Sequence, residues 1–266
     1  MSDDTSAATT TTSDRAHGRS VLVTGAGSGA GIGRAAALLF AAQGDRVVVA
    51  DIDEAGADRT VAEIEAAGGT ALAVAGDLSD QSVVDRLVAS AVDAFGGIDV
   101  LVNNAAVMDR MSALGETDDT EWERVVRINL TAPFLLTRAA LPHLLARGNG
   151  VIVNTASAAS LRGGAAGAAY TASKHGVAGL TKSLAVMYRD KGLRANAIAP
   201  GGTATGIQVD PVPGATGPGV LAAYMANVGR VAEAEEQAAV IVFLASAAAS
   251  NINGAILPVD NGWSAV

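Results

Sequence analysis

A tyrosine and a lysine four residues apart are the first candidates for chemistry. They stand in the segment Tyr170-Thr171-Ala172-Ser173-Lys174, and on a helix this spacing places both side chains on one face. A free tyrosine has a pKa of about 10, too high for a base at neutral pH, but a fixed ammonium nearby favours the phenolate. The pair could therefore transfer a proton, although a tyrosine and a lysine at this spacing usually have no catalytic role.

Two polar residues precede this pair and could act with it. Ser157 lies 13 residues before Tyr170, just past an apolar run, and its hydroxyl could hydrogen-bond to a substrate oxygen. Asn129 lies within a predicted helix, where an amide that faces a sheet costs free energy unless it finds partners. Each residue taken singly is more often structural than catalytic.

A glycine-rich segment follows the first predicted strand. Residues 25–34 read GAGSGAGIGR and open an Ala/Leu-rich stretch. Glycines permit a tight turn and a close approach of the backbone to a pyrophosphate, and a helix N-terminus supplies N–H groups and partial positive charge. Glycine-rich turns are common, so it is the position between a strand and a helix that favours a dinucleotide site.

An acidic residue at the end of the second predicted strand agrees with this interpretation. Asp51 lies 18 residues after Gly33, where a carboxylate can accept hydrogen bonds from both hydroxyls of the adenosine ribose. The alternative is a solvated or helix-capping Asp51, and Asp53 competes for the capping role. We expect Asp51 to repel the extra phosphate of NADP and Arg34 to point away from the ribose, so the cofactor is predicted to be NAD.

These residues lie on a regular alternation of predicted strands and helices. The predicted strands are Val21–Thr24, Arg46–Asp51, Thr70–Ala75, Val100–Asn103, Val151–Thr155, Arg194–Ala199 and Ala255–Val259. The predicted helices lie near 32–43, 54–67, 80–95, 119–146, 170–188 and 232–247. Apolar strands joined by helices indicate a mostly parallel sheet with helices on both faces. We therefore expect a doubly wound, Rossmann-like α/β fold of about seven strands, which binds ligands at the carboxyl ends of the strands.

Composition and charge disfavour several classes of partner and of chemistry. Of 266 residues, half are hydrophobic, none is cysteine and three are scattered histidines, so disulfides, thiolate chemistry and a metal site are not expected. The net charge of −9 disfavours nucleic acid. Charges interrupt every apolar run before about 18 residues, so no membrane span is expected. The N-terminal residues do not resemble a secretory signal, which favours a cytoplasmic location.

Two segments depart from the alternation. Residues 1–18 are rich in Thr, Ser, Asp and Ala and are predicted to be a disordered tail before a single catalytic domain at 19–266. Residues 206–229 contain three Pro and five Gly and are predicted to be an apolar flap over a substrate. A mobile surface insertion is the alternative for this flap.

In order and spacing these motifs resemble the short-chain dehydrogenase/reductase family over about residues 19–266. The matching motifs are the Thr24–Gly33 loop, Asp77-Leu78, Asn103-Asn104-Ala105-Ala106, Asn129, Ser157, Tyr170 with Lys174, and Pro200-Gly201 followed by Thr205. The resemblance implies that Tyr170 passes a proton to or from the substrate oxygen and that Lys174 lowers the pKa of Tyr170 and holds the nicotinamide ribose. It implies that Ser157 polarises the substrate carbonyl and that Asn129 holds a water that links Lys174 to solvent.

The resemblance also implies a surface for NAD. The residues expected to bind it are Gly25, Gly27, Ser28, Gly31, Ile32, Gly33, Asp51, Asp77, Leu78, Asn104, Ala105, Tyr170, Lys174, Pro200, Gly201, Thr203 and Thr205. Three features depart from the family pattern. Five residues rather than three separate Gly25 from Gly31, Ala106 replaces a glycine, and residues 259–262 replace a Gly-Gly ending. The enoyl-reductase branch also has a longer loop, but it spaces its tyrosine and lysine farther apart.

The sequence thus predicts an NAD-dependent oxidoreductase that acts on a largely apolar secondary alcohol or its ketone. A dinucleotide-binding protein without turnover, and an epimerase or dehydratase with tightly bound NAD, are the alternatives. The resemblance implies a homo-oligomer, with a tetramer as the expected state. Arg110 and Arg162 could bind an acid near the mouth of the site, or could equally be solvated surface residues.

Overall fold

The computed structural model describes residues 18–265. Within them seven strands form one sheet in the order β3-β2-β1-β4-β5-β6-β7, and all neighbours are parallel. The strands are β1 Ser20–Thr24, β2 Arg46–Asp51, β3 Thr70–Ala75, β4 Val100–Asn103, β5 Val151–Thr155, β6 Arg194–Pro200 and β7 Ile256–Val259. The predicted doubly wound sheet is confirmed, with strand bounds that differ by at most one residue. The predicted tail lies outside the described residues except for Gly18.

Helices cover both faces of the sheet. They are α1 Ile32–Ala42, α2 Glu54–Ala66, α3 Gln81–Phe95, α4 Asp119–Val126, α5 Ala132–Ala146, α6 Ala168–Tyr188, α7 Thr216–Met225 and α8 Ala234–Leu244. Successive strand residues bury on opposite faces: Val21 and Val23 pack with α1, α2 and α8, whereas Leu22 packs with α3, α5 and α6. This two-sided burial explains why the strands are apolar throughout. No helix of residues 18–265 is long and apolar enough to cross a membrane.

The predicted helix over 119–146 is interrupted. Residues 127–131 form a turn of π-helix between α4 and α5, and Asn129 lies inside it. Pro133 follows this turn and has no N–H to donate to the Asn129 carbonyl four residues earlier, so one α-helical hydrogen bond is missing at the junction. Turns of π-helix are rare and frequently occur at functional sites.

The flap contains a helix that the sequence did not predict. Its ten-residue α7 begins at Thr216, and the Glu116 carboxylate accepts hydrogen bonds from the first two backbone N–H groups of that helix. These bonds lower the pKa of Glu116 to about 2. The flap is thus hydrogen-bonded to the loop between β4 and α4. The Pro and Gly content of the flap does not indicate a helix, because the helix is capped by Glu116 from another part of the chain.

The two extra residues of the glycine loop form an exposed tip. Gly29 and Ala30 face solvent, and the Gly31 N–H donates to the Ser28 carbonyl at 3.0 Å to close the turn. Helix α1 begins at Ile32, directly after this turn. Within the glycine loop the closest packing is at Gly33, where an added Cβ would lie less than 3.0 Å from the Gly25 carbonyl oxygen.

Replacing Gly33 with Ala should destabilise the protein although Ala is the better helix former. The backbone contact cannot relax as a flexible side chain would, and overpacking typically costs about 1–3 kcal/mol. Differential scanning fluorimetry should show a fall in Tm of about 2–4 °C per kcal/mol. Gly29→Ala is the matched control, because an added Cβ there meets nothing within 4 Å. Equal Tm values for the two variants would contradict the conclusion that close packing against the Gly25 carbonyl excludes a Cβ at Gly33.

Candidate active site

A cleft of about 590 Å³ opens at the carboxyl edge of the sheet, where the strand order reverses between β1 and β4. Most of the sequence-predicted site residues line it, namely Gly25, Ser28, Gly31, Ile32, Asp51, Asp77, Leu78, Asn104, Ala105, Ser157, Tyr170, Lys174, Pro200, Gly201, Thr203 and Thr205. Gly27, Gly33 and Asn129 are not part of the lining. A fold of this topology binds ligands at this switch point, so the cleft is the candidate active site.

Tyr170 and Lys174 lie together in the first turns of α6 and are both buried. The Lys174 Nζ donates to the Thr155 carbonyl at the end of β5, at 2.7 Å. The same nitrogen lies 5.5 Å from the centre of the Tyr170 ring. The predicted shared helix face is therefore present, and β5 fixes the lysine beside the phenol.

Burial moves the pKa of each of these groups towards its neutral form. It raises the pKa of Tyr170 to about 12, against a hydrogen bond with Ser157 that lowers it and with a contribution from the Asp109 charge that raises it further. Burial also lowers the pKa of Lys174 to about 8. Burial thus opposes the phenolate, and a positive charge beside the ring favours it.

Ser157 follows β5 and begins a short 3₁₀ turn. Its Oγ accepts a hydrogen bond from the Ala159 N–H at 3.1 Å, and its hydroxyl also hydrogen-bonds with Tyr170. The turn therefore fixes the hydroxyl at the carboxyl end of β5, beside the phenol. The two oxygens can bind one substrate oxygen between them.

The Asn129 side chain is hydrogen-bonded to the loop after β4. Its side chain is almost fully buried, with Oδ1 accepting from the Val107 N–H at 2.8 Å and Nδ2 donating to the Val107 carbonyl at 2.9 Å. Nδ2 also lies 3.3 Å from the Ser173 Oγ, next to Lys174 on α6. The side chain thus joins the π-helical turn to the loop after β4. Both polar ends of the amide are thus engaged with protein groups.

The sequence analysis missed Asp109, which holds the start of α6. The carboxylate is 1% exposed and accepts backbone hydrogen bonds from Gly167, Tyr170 and Met111 at 3.2, 2.9 and 3.1 Å. Burial raises its pKa, and the nearby Glu121 charge contributes to the rise. Gly167, the N-cap of α6, has no side chain, so Asp109 supplies the cap from a distance. The only hint was one acid in an apolar stretch.

The other half of the cleft fits a dinucleotide. The first turn of α1 has no side-chain cap and no acidic residue, so its N–H groups face the cleft available for an anion. Asn104 braces the glycine loop by donating to the Thr24 and Gly25 carbonyls at 3.0 and 3.3 Å. Asp51 accepts from the Gly27 N–H at 2.7 Å and lines the cleft. Both the free helix end and the cleft-facing carboxylate suit a nicotinamide dinucleotide.

Arginines near the cleft are engaged by other protein groups. Arg34 forms an ion pair with Glu63 on α2, as expected for a side chain that points away from the ribose site. Arg127, which the sequence analysis did not single out, lines the cleft and donates to Asp77 Oδ2 at 3.1 Å.

The two arginines suggested as acid-binding residues are also paired. Arg110 binds Asp118 and the buried Glu121, the latter at 3.1 Å. Arg162 donates to the Trp263 carbonyl, and its guanidinium lies 4.8 Å from the Trp263 ring centre. Neither arginine lines the cleft. Both are therefore structural partners in this fold rather than exposed anion-binding groups.

Comparisons with known proteins agree with this geometry. A family model described as enoyl-(acyl carrier protein) reductase matches residues 25–264. A 3beta-hydroxysteroid dehydrogenase 2 of Eggerthella lenta is 40% identical, covering 93% of this chain and 95% of its own. A cis-4-hydroxycyclohexanecarboxylate dehydrogenase of Sinomonas cyclohexanicum is 43% identical, covering 93% and 97%. The structure of a 3-ketoacyl-(acyl-carrier-protein) reductase from Brucella melitensis complexed with NADH is 34% identical with a TM-score of 0.80, covering 93% and 99%.

Tyr170→Phe should remove most turnover and leave dinucleotide binding nearly intact. The ring still packs in place, but the transferable proton is gone, and acid–base catalysis is typically worth about 10²–10⁴-fold. Steady-state kinetics and calorimetric titration with the cofactor measure the two effects separately. Turnover within about threefold of the unaltered protein would contradict the role of Tyr170, because that loss lies far below the usual contribution of an acid–base group.

Asp109→Asn should shift the acidic limb of the pH profile for alcohol oxidation to lower pH. The Asp109 charge raises the pKa of Tyr170, so removal of this charge lowers that pKa and the phenolate forms at lower pH. The kcat should also fall, because Asn cannot accept all three N–H groups. Asp80→Asn is the control, since Asp80 caps α3 and Asn caps a helix equally well. An unshifted limb in Asp109→Asn would limit Asp109 to a structural role.

Proposed function

The chain belongs to the short-chain dehydrogenase/reductase family, and on that premise we propose that it uses NAD rather than NADP. It is an oxidoreductase that interconverts an alcohol and the corresponding carbonyl compound with a nicotinamide dinucleotide. The observation that carries the assignment is the convergence of Tyr170, Ser157 and Lys174 at one cleft, with the lysine fixed on Thr155. We propose that these three residues are the catalytic set.

In this mechanism the protein handles the proton and the substrate oxygen. When bound, the nicotinamide dinucleotide supplies the hydride acceptor or donor and, in its oxidised form, a positive charge. Tyr170 takes the proton of the substrate hydroxyl during oxidation and returns one to the carbonyl oxygen during reduction. Ser157 donates to the same oxygen and polarises it. The Lys174 ammonium adds positive charge beside the phenol, which offsets the effect of burial on the pKa of Tyr170.

Asn129 supports this site from behind. Its side chain ties the loop after β4 to the π-helical turn and reaches Ser173, the neighbour of Lys174. We propose that the π-helical turn containing Asn129 holds the water that links Lys174 to solvent, as the resemblance implies.

We propose NAD because Asp51 places a carboxylate where the ribose would lie. Its two oxygens accept from the backbone N–H groups of Gly27 and Asp53 at 2.7 and 3.0 Å, and Arg34 is occupied by Glu63. A carboxylate at a few ångströms from a phosphate dianion costs several kcal/mol at an effective dielectric constant of about 20. NADP enzymes commonly meet that phosphate with an arginine.

The substrate proposal is a largely apolar secondary alcohol or ketone. The flap over the cleft contributes Ile207, Val209, Met225 and Val228 to its lining. In the names of two relatives the hydroxyl group is carried by a ring. We propose that residues 206–229 cover the substrate within a catalytic domain that spans 19–266.

Two further parts of the proposal concern assembly and location. Val186 and Met187 on α6 and Phe134 on α5 are large apolar side chains exposed to solvent, and β7 is an open edge of the sheet. Exposed apolar surface of this kind suits contacts with copies of the same chain, which supports a homo-oligomer, with a tetramer as the expected state. A cytoplasmic location would give the enzyme access to a pool of NAD that other dehydrogenases regenerate.

A panel of secondary alcohols and ketones tests the activity through NADH absorbance. Turnover of apolar members is the expected result. Failure with every member, combined with NAD that stays bound through purification, would instead indicate an epimerase or dehydratase.

Asp51→Ala should narrow the preference for NAD. The unaltered protein should favour NAD over NADP in kcat/KM, since each 1.4 kcal/mol of repulsion is worth about tenfold. Removal of the carboxylate loses both the repulsion of NADP and the hydrogen bonds to NAD, so the ratio should fall. Asp53→Ala is the matched control, because Asp53 is exposed and pairs with Arg59. A ratio unchanged by Asp51→Ala, or equal use of both cofactors before mutation, would refute the assignment.

A further inference from the structure

Trp263 forms a fixed wall at one end of the cleft. Its side chain is 5% exposed and lines the cleft, although it comes from the last few residues of the described chain. Its Nε1 donates to the Tyr224 carbonyl of α7 at 3.2 Å, and its backbone N–H donates to the Asp260 carbonyl at 3.1 Å. The Arg162 guanidinium lies 4.8 Å from the centre of the indole ring. The indole is thus held by the flap, the C-terminal turn and a cation.

The surroundings of this wall are apolar and include the catalytic phenol. Trp263 and Tyr170 belong to one buried cluster with Ala165, against which Met225 and Val228 of the flap pack. All five of these residues line the cleft. A molecule whose oxygen reaches Tyr170 therefore rests the remainder of its body near the indole and the flap.

Charged side chains of the cleft lie elsewhere. Among the described residues, the charged members of the lining are Asp51, Asp77, Arg127 and Lys174. Asp51 ends β2, Asp77 follows β3, and Arg127 pairs with Asp77, which places these three on the dinucleotide side of the switch point. Lys174 is bound to Thr155 beside Tyr170. The segments that surround Trp263 contribute no charged group to the lining.

We propose that Trp263 is a specificity-determining residue that selects a neutral alicyclic ring as the body of the substrate. This proposal rests on the proposed function and adds the substrate class. A rigid ring covers the flat indole with little loss of conformational entropy, unlike a linear chain. A ring that bears a carboxylate would bring a charge to a part of the lining without a charged side chain, and the nearby Arg162 is already bound to the Trp263 carbonyl, so binding of that ring is unfavourable.

The kinetic test compares three alcohols of similar size, namely 4-methylcyclohexanol, 4-hydroxycyclohexanecarboxylate and 2-heptanol. The unaltered protein should favour the first over each of the others by at least about tenfold in kcat/KM, the scale on which apolar pockets discriminate. Trp263→Ala should erase most of that advantage, chiefly through KM for the methyl-substituted ring. Trp263→Ala leaves a cavity that can impair folding, so Trp263→Phe, which keeps an aromatic face, is the second variant and should retain part of the advantage.

The chain has two tryptophans, which provides a matched control and a binding readout without turnover. Trp122 on α4 is 41% exposed and does not line the cleft, so Trp122→Phe should keep the substrate preference. In that variant Trp263 is the sole tryptophan, and its emission should change saturably when cyclohexanone is added with cofactor. In Trp263→Phe the emission of Trp122 should not respond.

The outcomes separate this proposal from the proposed function. A saturable response of Trp263 to cyclohexanone without turnover of any alcohol would support the subsite and contradict the oxidoreductase activity. Turnover with no response of Trp263, or an unchanged ring preference in both Trp263 variants, would overturn the subsite alone. Equal use of the carboxylate-bearing ring and the methyl-bearing ring would also overturn it.

Discussion

Burial of a phenol and an ammonium side by side on α6 constrains the rest of this structure. Water that would stabilise either charge is excluded, so the pKa of Tyr170 rises to about 12 and that of Lys174 falls to about 8. Burial thus opposes both the phenolate of Tyr170 and the ammonium of Lys174, although a pKa of about 8 still leaves Lys174 mostly protonated at neutral pH. The Thr155 carbonyl accepts a hydrogen bond from Lys174 Nζ at 2.7 Å and so holds the ammonium beside the phenol.

Hydrogen bonds from the surrounding elements fix the positions of Tyr170 and Lys174. Asp109 anchors the first turn of α6 from the loop after β4, and its charge opposes formation of the phenolate. Asn129 locks the same loop to the π-helical turn, so one short segment is held at two points. Because the cofactor half of the cleft leaves the N-terminus of α1 uncapped, a bound anion would complete a helix end that the protein itself leaves open. The proposed catalytic residues and the proposed cofactor site thus depend on one set of loops at the switch point.

Local patterns predicted the sheet and most of the cleft because both depend on near neighbours in sequence. Apolar strands, the glycine loop and the Tyr170–Lys174 spacing each require only a short window. Contacts between distant residues escaped prediction: Glu116 caps α7 from 100 positions away, and Asp109 caps α6 from 58. Pro133 was visible in the sequence and removes one backbone hydrogen bond, yet only the structure shows the π-helical turn before it. The rise in the pKa of Tyr170 could not be predicted either, because burial of a side chain depends on the whole fold.

Burial keeps Tyr170 protonated in the protein alone, and we propose that a bound, positively charged cofactor lowers its pKa. NMR of protein labelled with ¹³Cζ-tyrosine measures this directly, since the chain has three tyrosines and Tyr170→Phe assigns the signal. Without cofactor, the Tyr170 resonance should remain that of a phenol well above pH 10, consistent with a pKa of about 12. With NAD bound, the transition should move to lower pH. A Tyr170 that ionises at or below its ordinary value of 10.0 in the protein alone would contradict the account.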